Sequence, residues 1–313
     1  MFDNLFRLVR SVILSIYYIR NMRNYEELLS DREKRLPRCA NKICACFKIV
    51  FSRFTKKGNI IILHLKENQK ISINKIQKLV ADIVKKEKCK SVVLSKKLNN
   101  NEELKNILNS YNIEILNGRY LFRFLIFDIL DFILKKINKK IQDMELSVMV
   151  NELDEINAKS IFLLAKKVKR LNIITNHIEV FKKIEQKLSD EGIMIMVSNN
   201  KRKSLLKSDV VINIDFVEEN LKEYKLNNNC AIINISNAIK VYNKGFNGIN
   251  INNYNICFEN EIIEKYNLEF DEKILYESKI YEINDFNKIL DMIEKDKVFI
   301  TEIIGNKGAI FFD

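Results

Sequence analysis

Apolar positions in the second half of the chain alternate between short continuous runs and helical spacing. The short runs, rich in Val and Ile, predict strands at residues 144–150, 171–175, 193–198, 209–215 and 230–236. Helical spacing predicts helices at residues 154–169, 178–190 and 217–224. Strands that are apolar throughout are typical of a parallel sheet buried on both faces. The pattern predicts a doubly wound, Rossmann-like parallel sheet over residues 143–258, in which 241–258 is interpreted as a loop with room for one more strand.

A second alternation precedes this block and predicts a small α/β domain over residues 58–118. Its elements are a strand at 58–65, a helix at 71–88, a strand at 91–95, a helix at 101–111 and a strand at 113–116. Strands joined by helices of this length are expected to pair in parallel. The chain is thus predicted to be an α/β protein of two domains.

Residues 119–142 are predicted to form an interdomain helix. The stretch 120–141 is apolar nearly all round for its first 15 residues and basic afterwards. A helix with no polar face must be covered on every side. Beyond the sheet, residues 259–313 are expected to form helices at 259–266 and 284–295 and a hairpin at 298–312 that turns at GNKG.

Residues 1–57 are interpreted as an N-terminal helical basic segment. Apolar positions recur at helical spacing from residue 2 to residue 17, and arginines interrupt them. Its longest uncharged run, residues 11–19, is too short to cross a bilayer, which takes about 20 residues. Two alternatives remain for the segment. It could lie on an anionic membrane, or it could dock on the protein's own core.

Positive charge is concentrated in the first 142 residues, which carry a net charge of +17, whereas the rest of the chain carries −5. This asymmetry suits a peripheral anionic membrane, phosphates or an acidic partner. The alternative is that the abundant Lys, Asn and Ile reflect an AT-rich genome and that most of these lysines are solvated, which explains the lysine count but not its uneven distribution. Nucleic acid is less favoured, because no aromatic and basic RNA-binding signature is present.

Six scattered cysteines and no cleavable secretory signal indicate a cytoplasmic location, with the inner membrane face as the alternative. Cys39, Cys44 and Cys46 form the one cluster of thiols. They are interpreted as buried thiols rather than zinc ligands, because no histidine lies nearby and the spacing is not C-x2-C. No metal site is predicted.

The 144–236 block resembles the NAD(P)-binding Rossmann domain, and is most similar to the cofactor domain of shikimate dehydrogenase and glutamyl-tRNA reductase. The segments that carry the resemblance are TNH (175–177), SDVVINID (208–215) and CAIINIS (230–236). The resemblance implies a dehydrogenase-like fold with NAD(P) as the cofactor. The catalytic residues of shikimate dehydrogenases have no counterparts here, because the N-terminal half lacks their substrate-binding serines and their lysine and aspartate motifs.

The turn that would hold the cofactor departs from that family. Residues 151–158 read NELDEINA, with no glycine, where a dinucleotide loop needs G-x-G-x-x-G. Glu152, Asp154 and Glu155 suit the helix dipole but would repel a pyrophosphate. Asn176 and His177 replace the acid that holds the ribose in NAD enzymes. NAD(P) is therefore disfavoured, and a non-catalytic relative or one with an altered ligand is expected.

A small nucleotide-like or anionic ligand would still collect at the carboxyl ends of the strands. The candidate residues are polar and follow the predicted strands; they are Asn151, Thr175, Asn176, His177, Ser198, Lys201, Arg202, Asn213, Asp215 and Ser236. The basic loop at 199–208 could receive a phosphate or carboxylate, or could be a solvated charged loop.

Three titratable residues allow both a catalytic and a structural interpretation. His177 could act as a general base, or could cap the helix that follows it. Asp128 and Asp131 share a helix face and could act as acid and base. Ion pairing of Asp131 with Lys135 is favoured instead. His64, within an apolar strand, is interpreted as structural.

Overall fold

The computed structural model describes residues 51–55, 58–61, 90–94, 96, 99–137, 139–242, 244–258 and 271–311. The predicted helices 71–88 and 259–266, most of the N-terminal segment, the Cys39 to Cys46 cluster and His64 lie outside the described residues. The chain divides into two compact units, one of residues 1–115 with 260–271 and one of residues 116–259 with 272–313.

The first unit contains two small sheets and one described helix. Strands β1 (Phe51–Thr55) and β2 (Gly58–Ile61) pair antiparallel, and β3 (Ser91–Val92) pairs in parallel with β4 (Glu114–Ile115). Helix α1 (Glu102–Ser110) packs Leu104, Ile107 and Leu108 into a small core. The predicted parallel pairing is present between β3 and β4, whereas the strand that begins at residue 58 pairs antiparallel with residues 51–55, which were assigned to the N-terminal segment. The two-residue connection between β1 and β2 allows only a hairpin.

The second unit is built on a six-stranded, entirely parallel sheet. Its strands are β5 (Glu145–Met149), β6 (Arg170–Ile174), β7 (Ile195–Ser198), β8 (Val210–Asn213), β9 (Ala231–Asn234) and β10 (Ile249–Ile251). They lie in the order β10-β9-β8-β5-β6-β7. This is the Rossmann strand order, in which two halves meet at a switch point between the first and fourth strands. The predicted doubly wound sheet is confirmed, and β10 fills the room left for one more strand.

Alternate strand residues face two separate cores, because side chains of a strand point to opposite faces. In β5, Val148 belongs to the larger core and Met149 to the smaller one. Helices α4 (Glu155–Lys167) and α5 (Ile178–Asp190) cover the larger core. The smaller core is covered by helix α6 (Glu218–Lys222) and by loops. The connection from β7 to β8 contains no helix.

Residues 119–142 do not form one continuous helix, and that prediction is wrong. They form helix α2 (Arg119–Phe124), helix α3 (Ile126–Ile137) and a short 3-10 turn at Ile141–Asp143. Both helices bury apolar side chains in the larger core, whereas α3 leaves Asp128, Asp131 and Lys135 exposed on one face.

The remaining elements pack against the larger core. Strands β11 (Asn253–Cys257), β12 (Phe299–Gly305) and β13 (Gly308–Ala309) form an antiparallel sheet, and the predicted hairpin turning at GNKG is confirmed. Helix α8 (Phe286–Lys295) matches the helix expected at 284–295. Helix α7 (Glu272–Ile280) was not predicted, because its apolar positions are interrupted by buried charges. Among the described residues, no helix is both long and apolar enough to cross a bilayer.

Candidate functional site

The turn between β5 and α4 is closed by a carboxylate from the end of β8. Both oxygens of Asp215 accept the backbone amide of Asn151 at 2.9 Å, and Oδ2 also accepts the amide of Glu152 at 2.7 Å. The parallel pairing of β5 with β8 brings these residues together across the switch point. In a Rossmann domain, the amides of this turn are the groups that approach the pyrophosphate.

A second carboxylate occupies the N-terminus of α4. Asp154 is the N-cap, and its Oδ1 accepts the amide of Asn157 at 2.8 Å. Arg123 of α2 forms an ion pair with Asp154 and donates to Oδ1 of Asn157 at 2.8 Å. Asn157 in turn donates to the carbonyl of Glu152 at 2.8 Å, which holds the turn in shape. The anion-binding end of the helix is therefore served by the protein's own side chain.

Three of the predicted polar residues meet around this turn. The Oδ1 atom of Asn151 accepts the amide of Asn176 at 2.9 Å, which links the end of β5 to the end of β6, while its own amide is held by Asp215. Sequence reasoning placed these residues at one edge of the sheet, and the structure joins them by hydrogen bonds. It did not foresee that Asp215 would satisfy the turn amides.

The residues that follow β6 and β7 make local contacts. Thr175 is fully buried, and its Oγ1 accepts the amide of His177 at 3.1 Å. His177 is exposed and stands at the N-cap position of α5, but its side chain makes no capping hydrogen bond. Ser198 accepts the amide of Asn200 at 3.1 Å.

The basic loop after β7 is ordered by its own groups. Oδ1 of Asn200 accepts the amides of Arg202 and Lys203 at 3.0 and 3.1 Å, so these donors already have an acceptor. Lys201 forms an ion pair with Glu223, and the hydrogen bond that Lys201 donates to this carboxylate raises the pKa of Lys201. Arg202 and Lys203 are exposed.

Buried asparagines form an amide network at the carboxyl ends of β8, β9 and β10. Asn213 donates to Oδ1 of Asn234 at 3.1 Å and exchanges two bonds of 3.0 Å with the backbone of Phe216. Asn234 donates to Oδ1 of Asn250 at 2.8 Å and to Oδ1 of Asn252 at 2.9 Å. The side chain of Asn213 is thus engaged inside the protein, whereas Ser236 is exposed.

Sequence reasoning missed this network. Each asparagine of the network, taken alone, resembles an ordinary residue at the end of a strand. Only the recurrence of Asn at the ends of three apolar strands could have indicated the network. Sequence reasoning also missed Arg123, one of two arginines in α2, which pairs with Asp154.

A cleft of about 280 Å³ opens beside the N-terminus of α4. Its lining is mainly aromatic and aliphatic and comprises Tyr120, Phe124, Asp154, Glu155, Ile156, Ile283, Asn284, Phe286 and Ile289. Both carboxylates in the lining are paired, Asp154 with Arg123 and Glu155 with Lys159 at 2.7 Å. The cleft is smaller than the roughly 300–1,000 Å³ of typical ligand pockets.

The strand order describes a Rossmann-like domain whose β5–α4 turn is closed by carboxylates. No protein-family model and no curated protein sequence matches the chain. Among solved structures, the chain is similar to dipicolinate synthase A chain from Bacillus subtilis, with 10% identity and a TM-score of 0.35, covering 63% of this chain and 65% of that one. It is similar to L-tryptophan dehydrogenase from Nostoc punctiforme, with 10% identity and a TM-score of 0.32, covering 87% and 84%.

A third similar structure is the Thermococcus litoralis Δ1-pyrroline-2-carboxylate reductase in complex with NADH and L-proline, with 12% identity and a TM-score of 0.22. That match covers 30% of this chain and 31% of the reductase. The chain therefore spans less than two thirds of the synthase and of the reductase. At these TM-scores the similarities carry no argument, and the Rossmann-like fold rests on the observed strand order.

The other candidate sites are surface features. The predicted ion pair of Asp131 with Lys135 is confirmed, at 3.9 Å between two exposed side chains. Asp128 is exposed on the same helix. Within the described residues, no group of three or more His, Cys, Asp or Glu side chains is placed to hold a metal ion.

Proposed function

We propose that the second unit is a non-catalytic binding or scaffold module, related in fold to NAD(P)-dependent dehydrogenases, that does not hold a dinucleotide across the β5–α4 turn. The observation that carries the proposal is the position of the Asp215 carboxylate on the amides of Asn151 and Glu152. A pyrophosphate at this turn would have to displace a carboxylate that already makes charge-assisted hydrogen bonds.

Electrostatics opposes that exchange as well. Asp154 at the N-cap and Asp215 at the turn place two negative charges where an anionic ligand would bring more. Arg123 balances Asp154 from the side of α2 but is engaged by it and by Asn157. Two like charges that meet in a partly buried site without a compensating charge cost on the order of several kcal/mol of binding free energy, as they do at protein interfaces.

The test is ligand-dependent stability of the full chain. NADH, NADPH and ADP-ribose are each titrated while the melting temperature is followed. A ligand at 100 times its dissociation constant stabilises the folded state by about 2.7 kcal/mol. We expect no rise in melting temperature with any of the three. A saturable rise, accompanied by slower amide exchange at Asn151 and Glu152, would overturn the proposal.

A second function is favoured by charge, and we propose it for the first 142 residues: docking on an anionic membrane surface. These residues carry a net charge of +17 against −5 for the rest of the chain. Each Lys or Arg that lies near an anionic membrane surface contributes about 1 kcal/mol of binding free energy, and this attraction weakens as salt screens it.

Vesicle sedimentation tests this second function. The full chain is mixed with phosphatidylcholine vesicles, with or without phosphatidylserine, at low and high salt. Binding is expected only with phosphatidylserine and is expected to fall with salt. The double variant Arg7→Glu with Arg10→Glu should weaken it, whereas the control variant Lys288→Glu with Lys307→Glu, which makes the same charge change at exposed positions of the second unit, should not. Equal binding by all three proteins, or none at low salt, would contradict the function.

A further inference from the structure

Strand β7 (Ile195–Ser198) forms one edge of the six-stranded sheet. It pairs with β6 on one side, and within the described part of the chain no strand pairs with its other side. Natural edge strands are commonly blunted by charges, proline or bulges, since their unpaired backbone groups can accept another strand. Residues 193–197 read IMIMV and contain neither a charge nor a proline.

Two methionines of this strand region are left in solvent. Met194 is 85% exposed and Met196 is 50% exposed, whereas Ile195 and Val197 pack half-buried against the larger core on the opposite face. The exposure follows from the topology. The connection from β7 to β8 is a helix-free loop, so no crossover helix covers this face of β7.

We propose that two copies of this chain associate through an antiparallel pairing of their β7 strands, with Ile195 opposite the second copy's Ile195. Residues that stand opposite each other in an antiparallel pair share one face of the sheet. This register therefore places Met194 opposite the second copy's Met196 and the reverse, so that all four methionines cover one another. A two-fold axis makes the contact self-complementary and closed.

Charges in the segments on either side of the strand fit the same arrangement. Asp190 ends α5, which precedes β7, and Arg202 and Lys203 lie in the loop that follows β7; all three side chains are exposed. In an antiparallel pair, the start of one strand lies beside the end of the other, so each acidic end meets a basic end. A parallel pairing would instead set like charges together, which is unfavourable. The pairing would continue the sheet from one copy into the next.

The test is the oligomeric state of the full chain, measured by sedimentation equilibrium. We expect a dimer whose dissociation constant rises at least about tenfold in Met196→Lys, because a charge blunts an edge strand. Phe299→Lys is the matched control, since Phe299 is a strand residue that is 56% exposed on another sheet. A monomeric chain, or a dimer equally affected or unaffected by the two variants, overturns the proposal.

Cross-linking checks the register independently of stability. In the proposed pair, the two copies of residue 195 have Cα atoms about 4.5–5.5 Å apart, which is within the range of a disulfide. Ile195→Cys should therefore form a covalent dimer on mild oxidation, reversed by reductant, with the unmodified chain as the control for its own cysteines. A variant that stays monomeric on denaturing gels, or that is indistinguishable from the control, refutes the register.

Discussion

Replacement of Asp215 by asparagine tests whether its carboxylate is the group that closes the β5–α4 turn. The carboxylate accepts two backbone amides, those of Asn151 and Glu152. Asparagine keeps one acceptor oxygen and replaces the other with an NH2 group, which cannot accept a hydrogen bond. One of the two amides therefore loses its partner in Asp215→Asn.

The expected cost follows from that single lost bond. A hydrogen bond to a charged group contributes about 1.5–3 kcal/mol. Asp215 is half-buried and Glu152 is exposed, so water can partly replace the missing acceptor. We expect a loss of about 2 kcal/mol in the free energy of unfolding, or a melting temperature lower by roughly 4–8 °C for a unit of this size.

Two control variants bracket the effect. Asp209 precedes β8 and accepts one amide, that of Glu145, at 3.0 Å, so Asp209→Asn can keep its bond and should lose less than about 1 kcal/mol. Asp131→Asn removes only an exposed ion pair and should be close to neutral.

The assay combines urea unfolding with amide exchange measured by mass spectrometry. Exchange reports the turn itself, which matters because two compact units need not unfold together. The amides of Asn151 and Glu152 should exchange faster in Asp215→Asn and not in Asp131→Asn. If Asp215→Asn matches Asp131→Asn in both measurements, the carboxylate does not hold the turn and the reasoning fails.

Three further predictions concern buried groups. Burial raises the pKa of Cys230 to about 12, so iodoacetamide at pH 8 should label this thiol only after denaturation, as read by peptide mapping. Burial also raises the pKa of Glu277 above its ordinary value of 4.5, so the folded state binds its proton more tightly than the unfolded chain does. The stability that the protonated carboxyl contributes is present at low pH and is lost as the pH rises through the pKa of Glu277 in the folded state. Glu277→Gln does not titrate, so its free energy of unfolding should rise relative to that of the unmodified protein from pH 4.5 upward, as measured by urea titration. Gly118 has φ of 87° and an added Cβ would lie 3.1 Å from the side chain of Lys273, so Gly118→Ala should lose about 1–2 kcal/mol by the same titration at neutral pH.

The pattern of apolar and polar positions was sufficient to predict the parallel sheet of the second unit. Short apolar runs separated by helical spacing required parallel pairing, and the structure has all five predicted strands in that arrangement. The same pattern was insufficient to predict how residues 119–142 divide into helices. Their apolar positions indicated burial in the core correctly, but they gave no sign of the break at Leu125. Helix α7 was missed because Lys273 and Glu277 are buried there, and polar residues at core positions hide the helical period.

The sequence by itself determined that the β5–α4 turn has no glycine and is acidic, and therefore that it differs from a dinucleotide loop. Only the tertiary structure decided what occupies the turn. Asp215 is 64 residues from Asn151 along the chain, and a contact over that distance arises from strand pairing, which no local period encodes. The same holds for Arg123 on Asp154 and for the asparagine network, because hydrogen-bond partners are set by the meeting of separate elements rather than by the spacing within one.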